Sequence, residues 1–318
     1  MLTKVTVADP PVKAFLDSAY EMSLLLSCPE ALYTFYNSNI MLEFSFGYDS
    51  RVHISGPDSR IWDRRSFQFR NSYDFFDTDD PLSKIVDINC QMIENGYCVL
   101  GDFDEYYVPG KSSFGEKHFS HNYMISGFDR AERYFILHGY NKAGQHEKYG
   151  ETKLSFDDYM SAIEIKKESF PPNEDIWRNL DFQKPDKDNF DRTIDTERIK
   201  TELSKYLEPE SDLKGINTII FLADTAERGL DLRNIRLLWE HARIMSDRAV
   251  FLNGLGLLKN SADAIDKLYA VKRFAESLFN LSLLAVLRNR EMENVKSALI
   301  RLSQLEKEAF GSLLSEIS

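Results

Sequence analysis

Cysteine is scarce in this chain: three residues, Cys28, Cys90 and Cys98, among 318. That is too few for a disulfide framework in a protein of this size. No CxxC or HExxH spacing occurs, so zinc and dithiol redox chemistry drop away and no metal or other cofactor is expected. Long apolar runs are missing as well. Stretches such as Met22 to Leu26 and Leu281 to Leu287 fall far short of the roughly 18 to 20 residues that cross a bilayer. The first fifteen residues, MLTKVTVADPPVKAF, contain neither a continuous apolar h-region nor a small-residue cleavage site, so a cytoplasmic protein is expected. Basic residues are outnumbered, 39 against 51 acidic ones, for a formal charge of -12. A field of that sign argues against nucleic acid and anionic membrane as partners.

What is present is ample core material. The chain is 43% hydrophobic and 13% aromatic, as expected of a globular, enzyme-sized protein. No internal repeat or low-complexity segment is apparent. Two compositional regimes meet near FPPNEDIWRNLDFQKPDKDNFDRTID, a Pro-, Asn- and Asp-rich string that reads as a domain connector and places one boundary at about residue 185. Residues 186–318 contain no proline after Pro209 and show helical periodicity over Glu197–Leu207, Ile216–Glu227, Leu232–Asn253, Ala262–Arg288 and Glu291–Glu316. Leu278, Leu281, Leu284 and Leu287, then Val295, Leu299 and Leu302, suggest helices that bury one face in a bundle.

Residues 1–185 mix types. Helices are predicted over Val12–Leu26, Pro29–Phe44 and Pro81–Asn95, the last with Pro81 at its start and Gly96 just past its end. The period then shortens, and Tyr97–Phe103, Asn122–Phe128 and Arg133–Gly139 read as strands. Helices followed by an antiparallel sheet make an α+β domain.

One constellation could carry chemistry. Cys28 precedes Pro29 at the predicted start of a helix, where unpaired N–H groups and the helix dipole stabilise a thiolate and could hold an oxyanion, with Ser27 as a further donor. A small buried residue is the plain alternative. Cys90, inside a predicted helix, and Cys98, inside a predicted strand, lack such a terminus and read as core. His121 opens a predicted strand after the loop GKSSFGEKHFSH, a place suited to a general base, with His118 as its rival. If Asp129 to Glu132 turns the chain, the return strand brings His138 to Asn141 beside His121. Either His138 or Asn141 could then orient the imidazole, with Asn141 in the manner of Cys-His-Asn sites. Asp102, Asp104 or Glu105 could attract a cationic amine, although a solvated loop accounts for them at least as simply, and Arg288, Arg290, Lys296 and Arg301 could receive an acidic carrier protein, although a solvated helix face is the simpler account of them.

The stretches MIENGYCVLGDFDEYYVPG, HFSHNYMISGFDRAERYFILHGYN and KYGETKLSFDDYMSAI resemble the N-terminal domain family of the butirosin biosynthesis H protein, found in natural-product gene clusters. The matching positions are Gly96, Asp104 with Tyr106 and Tyr107, His121, Gly127-Phe128-Asp129 and Ala162. Upstream, Cys28-Pro29-Glu30-Ala31-Leu32 and Phe46-Gly47-Tyr48 are similar to the family's cysteine region. The resemblance covers about residues 20 to 165. It implies a papain-like cysteine protease fold with Cys28 and His121 as catalytic residues, to which the reading of the return strand adds Asn141 as the third. The implied activity is that of an acyltransferase or amide synthase, which moves an acyl chain from an acyl carrier protein's phosphopantetheine thioester through Cys28 to an amine or diamine. A cysteine peptidase or amidase of the same fold, or an inactive scaffold, are the alternatives. Many relatives carry Asp-Pro where this chain has His138-Gly139-Tyr140-Asn141, which leaves the third group open, and no glutamine precedes Cys28 to serve as an oxyanion donor.

Overall fold

The computed structural model describes residues 1–46, 50–55, 66–71, 84–143, 146–163, 180–288 and 292–318, with residues 55, 71, 143 and 146 described through their backbone only. The expected positions Gly47, Tyr48, Pro81 and Arg290 lie outside the described residues, as does 164–179 of the connector region. The chain is α+β and forms two compact units. One comprises Met1–Pro10, Tyr20–Cys28 and Arg64–Asn189; the other comprises Pro11–Ala19, Pro29–Asp63 and Phe190–Ser318.

The first unit is built on an antiparallel sheet in the order β4 (Phe67–Asn71), β9 (Asp181–Pro185), β5 (Cys98–Asp104), β6 (Ser120–Asp129), β7 (Tyr134–Ala143) and β8 (His146–Ser155). β1 (Leu2–Lys4) pairs with the far end of β6, Leu2 opposite Asp129 and Lys4 opposite Gly127. Helix α3 (Ile85–Glu94) ends in a Schellman turn. Gly96, at φ +83°, donates to Ile93 O, and Tyr97 N reaches back to Met92 O. The β6–β7 turn is held by Asp129 Oδ1, which accepts from Ala131 N and Glu132 N. Helix α4 (Phe156–Ile163) starts on a reciprocal cap, Ser155 Oγ accepting from Asp158 N and donating to Asp158 Oδ2. Ile93 and Tyr159 of these helices join Val99, Phe103, Ile125 and Leu137 of the strands in one buried core.

The second unit contains a hairpin of β2 (Met41–Ser45) with β3 (Arg51–Ser55) and helices α5 (Thr196–Leu207), α6 (Asn217–Thr225), α7 (Leu232–Gly254), α8 (Ser261–Leu287) and α9 (Glu293–Glu316). Asp195 and Asp231 cap α5 and α7 by accepting from Arg198 N and Arg233 N. Helix α1 (Leu16–Leu25) is shared in sequence, its Leu16–Ala19 counted with this unit and the rest with the sheet unit.

Three expectations need correction. A single cut at residue 185 misses that Pro11–Ala19 and Pro29–Asp63 belong with the C-terminal helices. Backbone bonds tie them there: Lys13 N and Ala14 N donate to Glu240 Oε2, Val52 N donates to Asn234 Oδ1, and Phe44 N donates to Leu213 O. Secondly, the connector string contains β9, an inner strand of the sheet. Thirdly, no helix runs from Pro29 to Phe44. A 3-10 turn over Pro29–Ala31 leads into α2 (Leu32–Asn37), and β2 follows. Asn39 takes a left-handed φ of 61°, and its Nδ2 donates to Phe35 O. The fully buried Arg248 of α7 donates to the carbonyls of Tyr36, Ser38 and Asn39, satisfying acceptors that a longer helix would have used internally.

The leucine stripe of α8 is also not what its spacing suggested. Steps of three residues turn 300°, so the series drifts by 60° per step from the buried face. Exposure follows that drift, from 2% at Leu278 through 37% and 45% at Leu281 and Leu284 to 72% at Leu287. No helix among the described residues is long and apolar enough to cross a membrane.

Candidate active site

His121 stands at the second residue of β6, opposite Phe103 of β5. Its Nδ1 lies 3.0 Å from Glu105 Oε1, and its side chain is 41% exposed. Glu105 opens the 3-10 turn that follows β5, and its side chain is only 9% exposed. The same Oε1 accepts the hydroxyl of the buried Tyr123 at 2.5 Å. Strand alternation explains this arrangement: His121 and Tyr123 are two residues apart and project from one face, where a single carboxylate serves both. Burial acts to raise the Glu105 pKa, but the hydrogen bonds from His121 and Tyr123, aided by the charges of His121 and Lys111, outweigh it and hold the carboxyl below its ordinary value. An ionised Glu105 is an acceptor, so the neutral imidazole carries its proton on Nδ1. Nε2 is left as a base with no protein partner among the described residues.

Lys111 lies behind this pair. Its Nζ sits 4.5 Å from the centroid of the Tyr123 ring and donates to Tyr140 O. Gly139, at φ +159°, allows the approach: a Cβ there would stand 3.0 Å from Tyr123 Cε1 and 3.1 Å from Lys111 Nζ.

No protein-family model matches this chain, and no curated protein does.

The third group expected beside His121 is neither Asn141 nor His138. Asn141 Nδ2 donates across the β7–β8 ladder to Gly150 O, at 3.1 Å. His138 is buried with Nε2 2.7 Å from Ser126 Oγ, and burial pushes its pKa down to about 4. His138 and Tyr123 point to opposite faces of the sheet, because His138 is in register with Met124. Glu105 takes the place because the 3-10 turn folds it under β6, a tertiary arrangement that spacing alone does not reveal.

Cys28 is buried, 7% exposed, in the turn after α1. Its N donates to Leu25 O, and its Sγ lies 3.8 Å from Ser27 Oγ. The Ser27 hydroxyl lies 2.6 Å from Leu24 O, to which it donates, so neither it nor the Cys28 N–H is a free oxyanion donor. The 3-10 turn and six-residue α2 that follow are also a weaker dipole than the long helix expected. No hydrogen bond joins Cys28 to His121 among the described residues. Cys90 and Cys98 are core positions, as their places in α3 and β5 suggested, and burial pushes Cys90 up to about 11 and Cys98 further.

A second imidazole–carboxylate pair adjoins the first. His118 Nδ1 lies 2.6 Å from Asp104 Oδ2, while Asp104 Oδ1 accepts from Tyr106 N and Phe119 N. The His118 ring stacks on Tyr106 at 4.5 Å. Asp104 and Glu105 are thus engaged within the fold and are not open acids for a cationic amine; Asp102 is exposed. No group of three or more His, Cys, Asp and Glu side chains among the described residues could hold a metal ion.

Proposed function

We propose that this chain is an acyl-transfer enzyme of papain-like type in which His121, oriented by Glu105, is the general base and Cys28 the nucleophile. The observation that carries the reading is the Glu105–His121 pair, a buried carboxylate on Nδ1 with Nε2 open at the rim of a rigid strand. In the first half-reaction Cys28 loses its proton to His121 and attacks the carbonyl of an acyl thioester, and the donor thiol leaves. In the second an amine attacks the enzyme thioester and gives up a proton, and Cys28 is released. Thioester exchange is nearly isoenergetic, and amide formation is downhill. An acyl carrier protein as donor and a small amine or diamine as acceptor, in natural-product biosynthesis, complete the proposal.

A second reading is favoured by the bonds at Cys28. With Sγ buried beside Ser27 Oγ and not joined to His121, the Glu105–His121 base would act directly on a bound amine or on water, as in an amidase without an enzyme thioester.

Intact masses of wild type, Cys28→Ala and His121→Ala after exposure to a panel of acyl thioesters, with and without a diamine, separate the two. A wild-type adduct that Cys28→Ala lacks and that amine discharges supports the first. Turnover retained in Cys28→Ala but lost in His121→Ala supports the second. If no variant is acylated or turns over any thioester, both readings fail.

A further inference from the structure

We infer that Tyr123 is a positioning residue for the His121 base: its hydroxyl holds the Glu105 carboxylate in the one orientation that sets Oε1 against Nδ1. The inference rests on the reading of His121 as the base and is independent of Cys28. A carboxylate has two equivalent oxygens and turns readily about its last bond, so closeness to an imidazole does not by itself fix which oxygen serves it. Here both donors meet one oxygen. His121 Nδ1 lies 3.0 Å from Oε1, and the Tyr123 hydroxyl donates to the same atom at 2.5 Å, a length typical of an O–H bond to an ionised carboxylate. No hydrogen bond to Oε2 is formed among the described residues, so the Tyr123 hydroxyl is what makes the two oxygens unequal.

Tyr123 is held in turn, as a positioning group has to be. It is fully buried, its ring stacks on Phe103 with centroids 5.9 Å apart and planes 6° from parallel, and Lys111 Nζ covers the ring at 4.5 Å from its centroid. His121 stands edge-on to the same ring, 5.8 Å away at 87°, which limits the rotation of the imidazole as well. Burial and the charge of Glu105 push the Tyr123 hydroxyl up, so it keeps its proton and stays a donor throughout the neutral range. Other charged or titratable groups face this trio. Asp102 of β5 interacts with the charge of His121, while Glu147 of β8 and Tyr20 of α1 act on Tyr123. Lys117 lies over Phe119, whose ring is 5.6 Å from that of His121. None of these groups forms a hydrogen bond with Glu105 among the described residues, which leaves Tyr123 as the second anchor of the carboxylate.

The test is nuclear magnetic resonance of the full chain, without substrate, on wild type and Tyr123→Phe. The 15N shifts of the His121 ring report which nitrogen carries the proton of the neutral imidazole, and the 13C shift of the Glu105 carboxyl reports its titration. In wild type the proton should sit on Nδ1. Tyr123→Phe keeps the ring and its contacts. Its Nδ1–H population should fall by about half or more, toward the Nε2–H form that a free histidine side chain prefers. Its Glu105 titration should move up by about one pH unit, a tenfold change in proton affinity, because the charged form has lost a donor. The tautomer decides: if it is unchanged in Tyr123→Phe the positioning role is overturned, whether or not the Glu105 titration moves, and Tyr123 is left as packing or as an electrostatic neighbour. Should that variant not fold, the wild-type hydroxyl proton serves instead. Slow exchange and a nuclear Overhauser contact with the His121 Nδ1 proton support the role, whereas exchange as fast as that of the exposed Tyr269 overturns it. No thioester or amine enters the measurement, so its outcome is distinct from the fate of the acyl-transfer reading.

Discussion

Glu306 is fully buried on α9, with Oε2 accepting the hydroxyl of Tyr206 and Oε1 without a partner among the described residues. Burial raises its pKa from 4.5 to about 8, partly offset by the Tyr206 hydrogen bond. The folded chain therefore binds a proton at neutral pH that the unfolded chain has released. A raised pKa contributes stability that is fully present below 4.5 and is lost as pH rises through about 8. At 1.36 kcal/mol per unit, the loss is under about 1 kcal/mol at pH 5 and about 3 kcal/mol at pH 7. Glu306→Gln keeps the shape and an acceptor for Tyr206 but does not titrate. Its stability relative to wild type should climb by about 2 kcal/mol between pH 5 and pH 7. Urea unfolding followed by circular dichroism at pH 5, 6 and 7 measures this, provided m is unchanged. A fixed offset between two parallel pH curves would show that Glu306 ionises normally in the folded state and would refute the reasoning.

His138, lowered to about 4 from 6.5 by burial, has the opposite sign: its contribution is present above 6.5 and lost as pH falls through 4, so His138→Gln should flatten acid unfolding in that window by up to about 3 kcal/mol. Gly215→Ala would place a Cβ 2.4 Å from Tyr206 O at a φ of +53° and should cost more than about 2 kcal/mol in chemical unfolding. Gly139→Ala should cost about 1–3 kcal/mol in chemical unfolding, because its Cβ crowds both Lys111 Nζ and Tyr123. Glu105→Gln should reduce turnover of whichever substrate His121 serves by about 10²-fold or more, while Asn141→Ala should leave it near wild type; equal effects would return Asn141 to the site.

Much of the helical unit was legible without coordinates. The ends of α5, α7, α8 and α9 fall within a few residues of the periodic segments, because caps such as Asp195 and Asp231 and the three-and-four spacing act over a single turn. The same local reading went astray where a distant residue decided the outcome. α2 stops at Asn37 because Arg248, on a helix two hundred residues away, holds the carbonyls that follow. β9 was hidden in a Pro- and Asp-rich string because strand formation depends on the partners β4 and β5 more than on its own residues.

The candidate site divides along the same line. That His121 begins a strand, that Cys90 and Cys98 are core and that Gly96 ends a helix follow from patterns a few residues long, since each depends on local backbone geometry. That Glu105, and not Asn141, meets Nδ1 of His121, that Tyr123 shares its oxygen and that Lys111 is buried behind them were decided by the folding of the turn after β5 beneath β6. Hydrogen bonds between separate strands depend on register and on which face each side chain takes, and both are set only when the sheet is assembled.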